Sequence, residues 1–153
     1  MNPADPRYSR FHLVREMLQT PQVIRGFDPG AVEPFAAAVR RAGRTGRVFL
    51  TGEGSSRIFP AKRALYDALR RADPLCLATD GATQALEYDL SGWVVFAASN
   101  SGKTKEVVRL MQALKSGGHP AVFGLTATAG SPVAELAARS LMLEGGKEEA
   151  VSA

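Results

Sequence analysis

Short runs of apolar residues alternate along this chain with stretches in which apolar residues recur every three or four positions. Runs begin near Val48, Leu75, Trp93 and Ala121, and a weaker one covers residues 140–143. The run from Trp93 is continuous rather than alternating, as expected for a strand covered on both faces. Because helical stretches separate the runs, the pattern predicts an α/β fold with a five-stranded parallel sheet and helices on both sides.

The stretches between the runs have the spacing of amphipathic helices. One helix is predicted from Arg57 to Ala72, before Asp73-Pro74, and another around residues 107–114, before a pair of glycines. A shorter helix is predicted to start at Ser131-Pro132, where proline occupies a first-turn position. Residues 86–92 are predicted as loop and short helix.

The first 45 residues are predicted to form a helical lead-in. Phe11, Val14 and Leu18 recur at helical spacing, and Pro21 is predicted to interrupt that helix. A second, alanine-rich helix is predicted over residues 32–42. We therefore divide the chain into a lead-in, residues 1–45, and an α/β domain, residues 46–153.

Composition narrows the classes of protein that fit. The chain has 153 residues, 45% hydrophobic and 22% charged, which suits one globular domain. No apolar run reaches the roughly 18 residues that span a bilayer, and the N-terminus lacks a secretory h-region, so we expect a cytoplasmic protein with no membrane partner. The net charge is +4, but no ladder of aromatic residues runs between the basic ones, so nucleic acid is not expected. Cys76 is the only cysteine, which excludes a disulfide framework and a cysteine-based zinc site.

The strongest chemical feature is a hydroxyl-rich loop at residues 99–104, Ser-Asn-Ser-Gly-Lys-Thr, between a predicted strand and a predicted helix. A helix N-terminus offers free N–H groups and partial positive charge, glycine permits close approach, and hydroxyls add hydrogen-bond donors. The loop therefore suits a phosphate monoester. Its spacing does not fit a Walker P-loop, and residues 52–56 lack the third glycine of a dinucleotide fingerprint. Helix capping accounts for one or two of these hydroxyls, but not for all of them together with Ser55 and Ser56.

These motifs resemble the sugar-isomerase (SIS) domain family. Residues 52–56, Gly-Glu-Gly-Ser-Ser, are similar to its first glycine-serine loop, and residues 99–106 to its Ser-x-Ser-Gly-x-Thr-x-Glu motif. Residues 125–134 and 146–152 resemble two later motifs, and residues 15–21 resemble the lead-in of two-domain members, with Thr20 in place of glutamine. The resemblance implies a three-layer αβα sandwich of the flavodoxin-like SIS type. Its implied relatives are the isomerase half of glucosamine-6-phosphate synthase and aminosugar-phosphate deglycases and isomerases.

The resemblance also implies a site for a sugar phosphate without metal or cofactor. The residues expected to hold the phosphate are Ser56, Ser99, Asn100, Ser101 and Thr104. The residues expected to approach the sugar are Gly54, Ser55, Glu148 and Val151.

The catalytic residues of the two-domain members would lie beyond this sequence, in a second SIS domain. Neither of the two histidines, His12 and His119, matches a catalytic position, so no acid–base pair is identified. We expect the N-terminal half of a phosphosugar isomerase or deglycase, with one sheet face left for a homodimer partner or a second SIS domain to cover. The alternatives are a non-catalytic module that senses phosphosugars and a degenerate scaffold that binds nothing.

Overall fold

The computed structural model describes residues 5–43 and 45–143. Five parallel strands form one sheet in the order β2-β1-β3-β4-β5. The strands are β1 (Arg47–Gly52), β2 (Cys76–Gly81), β3 (Val94–Ala98), β4 (Val122–Thr126) and β5 (Arg139–Met142). The helices are α1 (Pro6–Ser9), α2 (His12–Gly26), α3 (Glu33–Ala42), α4 (Gly54–Arg71), α5 (Ala82–Ala85), α6 (Lys105–Ser116) and α7 (Pro132–Leu136). The predicted parallel α/β sheet is confirmed.

The two faces of the sheet are covered by different helices. Side chains alternate along a strand, so Phe49 faces one side while Val48 and Leu50 face the other. On the Phe49 side, α5, α6 and α7 bury the larger core cluster, which includes Val95, Leu110 and Met111. The result is the predicted three-layer arrangement of helix, sheet and helix.

On the opposite face, α3 packs against the sheet through aromatic contacts. Phe35 lies 5.6 Å from Phe123 and 5.9 Å from Phe96, ring centroid to ring centroid. Such tilted and edge-on pairs add to the burial of apolar area. Between α3 and α4 an apolar groove of about 370 Å³ remains, with Leu50 and Phe96 among the residues that line it. This face is therefore less completely covered than the other.

Two predicted helix boundaries are wrong. Pro21 does not interrupt the first long helix, because α2 continues to Gly26. An internal proline removes one backbone hydrogen bond and does not have to end a helix. The helix predicted from Arg57 begins three residues earlier, at Gly54, so Ser55 and Ser56 lie in its first turn. The first turn of a helix need not contribute apolar side chains to the core, and residues 54–56 are glycine and serine. Apolar spacing therefore does not reveal where this helix begins.

The core makes a direct prediction about stability. Leu110 is 1% exposed and belongs to the larger core cluster, whereas Leu69 on α4 is 82% exposed. Leu110→Ala should therefore lower the free energy of unfolding by about 2–5 kcal/mol. Leu69→Ala removes the same atoms from a helix surface and should change it by less than about 0.5 kcal/mol. Urea denaturation of both variants measures the difference, and equal losses would contradict this description of the core.

Candidate functional site

The loops that carry the predicted site residues meet at one edge of the sheet. Strands β1 and β3 are neighbours, and the chain leaves β1 towards β2 but leaves β3 towards β4. This reversal creates a crevice beyond the carboxyl ends of β1 and β3, the usual ligand position in open parallel sheets. The loop after β1 contains Glu53, and the loop after β3 contains residues 99–104.

The loop at residues 99–104 is organised by its own hydroxyl groups. Ser99 is 2% exposed, and its hydroxyl forms a 2.7 Å hydrogen bond with the Thr104 hydroxyl at the start of α6. Ser101 lies at the exposed tip, where its hydroxyl accepts a 3.3 Å hydrogen bond from the Lys103 N–H. Ser99 therefore orients Thr104 from below, while Ser101 is open to a ligand.

The loop that follows β4 holds this loop in place. The carbonyl oxygen of Asn100 accepts hydrogen bonds from the Thr126 hydroxyl at 3.1 Å and from the Thr128 hydroxyl at 3.3 Å. The Ala127 N–H donates to the same oxygen at 3.0 Å. The carbonyl of Gly102 accepts from the Val133 N–H, at the start of α7. The backbone carbonyl of Asn100 is thus held by three donors.

Two helices of full length begin at this edge. α4 starts beside the first loop and α6 starts directly after the second. Neither Glu53 nor Thr104, the residues that precede them, caps its helix through a side-chain hydrogen bond. The first amide groups of both helices therefore remain available, and each end adds partial positive charge.

The predicted residues of the first loop lie close to the second loop. Gly54 takes a positive φ of 52°, and Ser55 and Ser56 follow it in the first turn of α4. Ser56 and Ala98 line the same small cavity of about 40 Å³. Ala98 directly precedes Ser99, so Ser56 lies next to the hydroxyl-rich loop. Glu148 and Val151, the other predicted sugar contacts, lie outside the described residues.

Three polar residues at this edge were not predicted. Asp80 and Tyr88 form a 2.7 Å hydrogen bond in which the phenol donates to the carboxylate. This bond, with the Gly81 N–H and the charge of Arg57, holds the pKa of Asp80 below its ordinary value, and it raises the pKa of Tyr88. Arg57 has a buried Nε atom without a hydrogen-bond partner in the structure.

The sequence contained only weak signals for these residues. Arg57 is one of many arginines in the sequence. Asp80 is the last residue but one of β2, and Tyr88 lies in a stretch without clear periodicity. Arg57 and Asp80 come together through the pairing of β1 with β2, which the sequence pattern alone does not provide.

The histidines take no part in this site. The His119 Nε2 atom bonds the Leu90 carbonyl at 2.9 Å, and its Nδ1 atom accepts from the Ala121 N–H at 3.3 Å, both near the amino ends of the strands. His12 lies exposed on α2 beside Arg15. Across residues 5–43 and 45–143, no group of three or more side chains is arranged to hold a metal ion. In the same ranges, no helix combines the length and apolar character needed to cross a membrane.

Comparisons with known proteins identify solved structures that are similar to this chain. No family model and no curated protein matches the sequence. A protein from Silicibacter pomeroyi DSS-3, assigned as a phosphosugar isomerase, matches 90% of this chain at a TM-score of 0.70 and 29% identity. The C-terminal domain of glucosamine-fructose-6-phosphate aminotransferase from Francisella tularensis matches 91% of this chain, with a TM-score of 0.70 and 13% sequence identity. The NanR protein of Vibrio vulnificus, whose structure was solved with ManNAc-6P, matches 90% of this chain, with a TM-score of 0.62 and 21% sequence identity.

These relatives are longer than this chain. The matched part covers 43% of the Silicibacter chain, 41% of the Francisella chain and 50% of the NanR chain. The sheet order, the hydroxyl-rich loop and these neighbours agree with the motifs in the sequence. The resemblance to the SIS phosphosugar isomerases is therefore confirmed, and this chain folds as an SIS-type α/β domain.

Proposed function

We propose that the loop at residues 99–104 and the first turn of α4 bind the phosphate of a hexose or aminohexose 6-phosphate. The observation that carries this proposal is the convergence of exposed hydroxyls and two uncapped helix N-termini at one crevice. Such a site satisfies an anion with fixed N–H and O–H donors. The NanR structure, whose ligand is ManNAc-6P, supports a ligand of this class.

The proposed roles follow from where each hydroxyl lies. Ser101 at the loop tip and Thr104 at the start of α6 donate to the phosphate, and Ser99 acts through Thr104. The Asn100 side chain and the Ser56 hydroxyl complete the phosphate contacts. Gly54 and Ser55, at the start of α4, are proposed to lie against the sugar.

We further propose that the chain forms the N-terminal half of a phosphosugar isomerase or deglycase of the glucosamine-fructose-6-phosphate aminotransferase type. The likeness to longer phosphosugar isomerases supports this assignment. The reaction would move a proton between adjacent carbons of a ring-opened 6-phosphosugar, and the anchored phosphate would supply position rather than chemistry. A second SIS domain or a second copy of this chain would cover the groove between α3 and α4.

One observation favours a second candidate, a regulatory module that binds phosphosugars without converting them. Both ring nitrogens of His119 are bonded to the backbone, and the described residues at the crevice include no imidazole for acid–base catalysis. Incubation of the chain with a hexose 6-phosphate tests the regulatory module directly. Turnover would rule the module out, whereas binding without turnover fits both the module and an isomerase half whose catalytic residues lie in a second SIS domain.

The phosphate anchor can be tested by removing two of its hydroxyls. Ser101→Ala combined with Thr104→Ala should weaken binding of glucose 6-phosphate at least about tenfold, because each lost charge-assisted hydrogen bond is worth about 1.5–3 kcal/mol. The matched control is Thr20→Ala combined with Ser91→Ala, which removes the same groups elsewhere on the surface. Isothermal titration calorimetry gives both affinities. Equal affinities for the two double variants would remove the anchoring role from this loop.

The backbone shape of the loop can be tested at Gly102. Gly102 and Gly130 both have φ of +64°, which costs about 1 kcal/mol for an alanine. A Cβ at Gly102 would lie 2.0 Å from the Ser131 Oγ, whereas a Cβ at Gly130 meets no atom within 4 Å. Gly102→Ala should therefore destabilise the domain by about 1–3 kcal/mol more than Gly130→Ala and should weaken binding of glucose 6-phosphate. Urea denaturation and calorimetry check both effects, and identical behaviour of the two variants would contradict this packing.

A further inference from the structure

A carboxylate lies on the other side of the crevice from the hydroxyl-rich loop. Glu53, between β1 and α4, accepts a 2.9 Å hydrogen bond from the Ala82 N–H through its Oε1 atom. The same oxygen lies 3.4 Å from the position of a Cβ at Gly81. The side chain is therefore held over the end of β2. Its second oxygen, Oε2, has no hydrogen-bond partner among the residues described.

The pairing of the strands sets the distance between this carboxylate and the proposed phosphate anchor. Gly52, which precedes Glu53, pairs with Gly81 of β2 on one side and with Ala98 of β3 on the other. Two strand spacings amount to about 10 Å. A ligand whose phosphate is bound at residues 99–104 can therefore reach Glu53 with the end of its carbon chain that is remote from the phosphate.

The charges at this edge are unevenly distributed. The phosphate side carries Lys103, Lys105 and the N-terminus of α6, with Glu106 as the one acidic residue in the first turn of that helix. The β2 side carries Glu53 and Asp80, with Arg57 as the nearby cation that acts on Asp80. The site is therefore basic where it would meet a phosphate and acidic where it would meet the far end of the ligand.

Glu53 is the carboxylate on the acidic side that is available to a ligand. Both oxygens of Asp80 are used within the protein, one by the Gly81 N–H at 2.8 Å and the other by the Tyr88 phenol. Glu53 uses one oxygen to hold its position and keeps the other free. A carboxylate that is held in place through one oxygen forms the strongest hydrogen bond of its other oxygen with a cationic donor.

We infer that Glu53 determines substrate specificity by favouring a phosphosugar that carries a protonated amine at the end remote from its phosphate. This inference rests on the proposed phosphate anchor, because the anchor directs the far end of the ligand to Glu53. An ammonium group donates a charge-assisted hydrogen bond to Oε2, whereas a hydroxyl forms a weaker neutral one. A second anionic group at that end meets the carboxylate and is disfavoured.

Glu53→Gln tests this role without disturbing the local fold. A glutamine side-chain oxygen can still accept from the Ala82 N–H, so the variant removes the charge and keeps the positioning bond. The matched control is Asp89→Asn, which also removes one carboxylate charge, in the segment before β3 at the opposite edge of the sheet. The probes are glucosamine 6-phosphate and glucose 6-phosphate, titrated into the full chain by calorimetry.

The expected result is a change in preference rather than a general loss of affinity. The unchanged protein and Asp89→Asn should bind glucosamine 6-phosphate about tenfold more tightly than glucose 6-phosphate, and Glu53→Gln should reduce that ratio to about two by weakening only the amine ligand. An unchanged ratio in Glu53→Gln, or no preference in the unchanged protein, would overturn the inference. If the unchanged protein bound neither sugar phosphate, the proposed function itself would fail.

Discussion

The proposed site depends on the fixed backbone of the loop between β3 and α6. Three donors from the last residue of β4 and the loop after it converge on the carbonyl of Asn100. The Ser99 and Thr104 hydroxyls bond to each other across the loop. Gly102 packs so closely on Ser131 that no side chain fits there. Several hydrogen bonds on one short segment give a loop one conformation before a ligand arrives, which reduces the ordering cost of binding. A flexible loop with the same hydroxyls would bind a phosphate less tightly.

The sheet makes this arrangement possible. Parallel strands bring the ends of β1, β3 and β4 to one edge, and the reversal of chain direction between β1 and β3 opens a crevice there. The same pairing brings Glu53 and Asp80 to one side of the crevice and the hydroxyl-rich loop to the other. The amino ends of the strands contain different polar contacts, such as the bond between His119 and Leu90, which hold loops together away from the crevice. Position in the sheet therefore distinguishes residues proposed to bind a ligand from residues that only support the fold.

Apolar runs predicted the five strands and the layered fold correctly. The signal was strongest for the central strands β3 and β4, because a strand buried on both faces has a continuous apolar sequence. The hydroxyl-rich loop was also recognisable, because its residue types are unusual and contiguous. The start of α4 was predicted three residues late, since its first turn carries glycine and serine rather than apolar residues. Contacts between distant segments were not predictable in this way. Examples are the Thr126 bond to Asn100 and the close approach of the Ser131 hydroxyl to Gly102.

The central claim is that the amide groups and hydroxyls at residues 99–104 and at the start of α4 bind a phosphate ester. The most direct measurement is an amide ¹H–¹⁵N NMR titration of the chain with glucose 6-phosphate. We predict that the largest shifts occur at the amides of Ser101, Lys105 and Ser56, and that resonances at the amino ends of the strands, such as that of Ala121, stay in place. A saturating titration that leaves the amides of residues 99–106 unmoved, or that moves resonances across the whole domain equally, would contradict the claim.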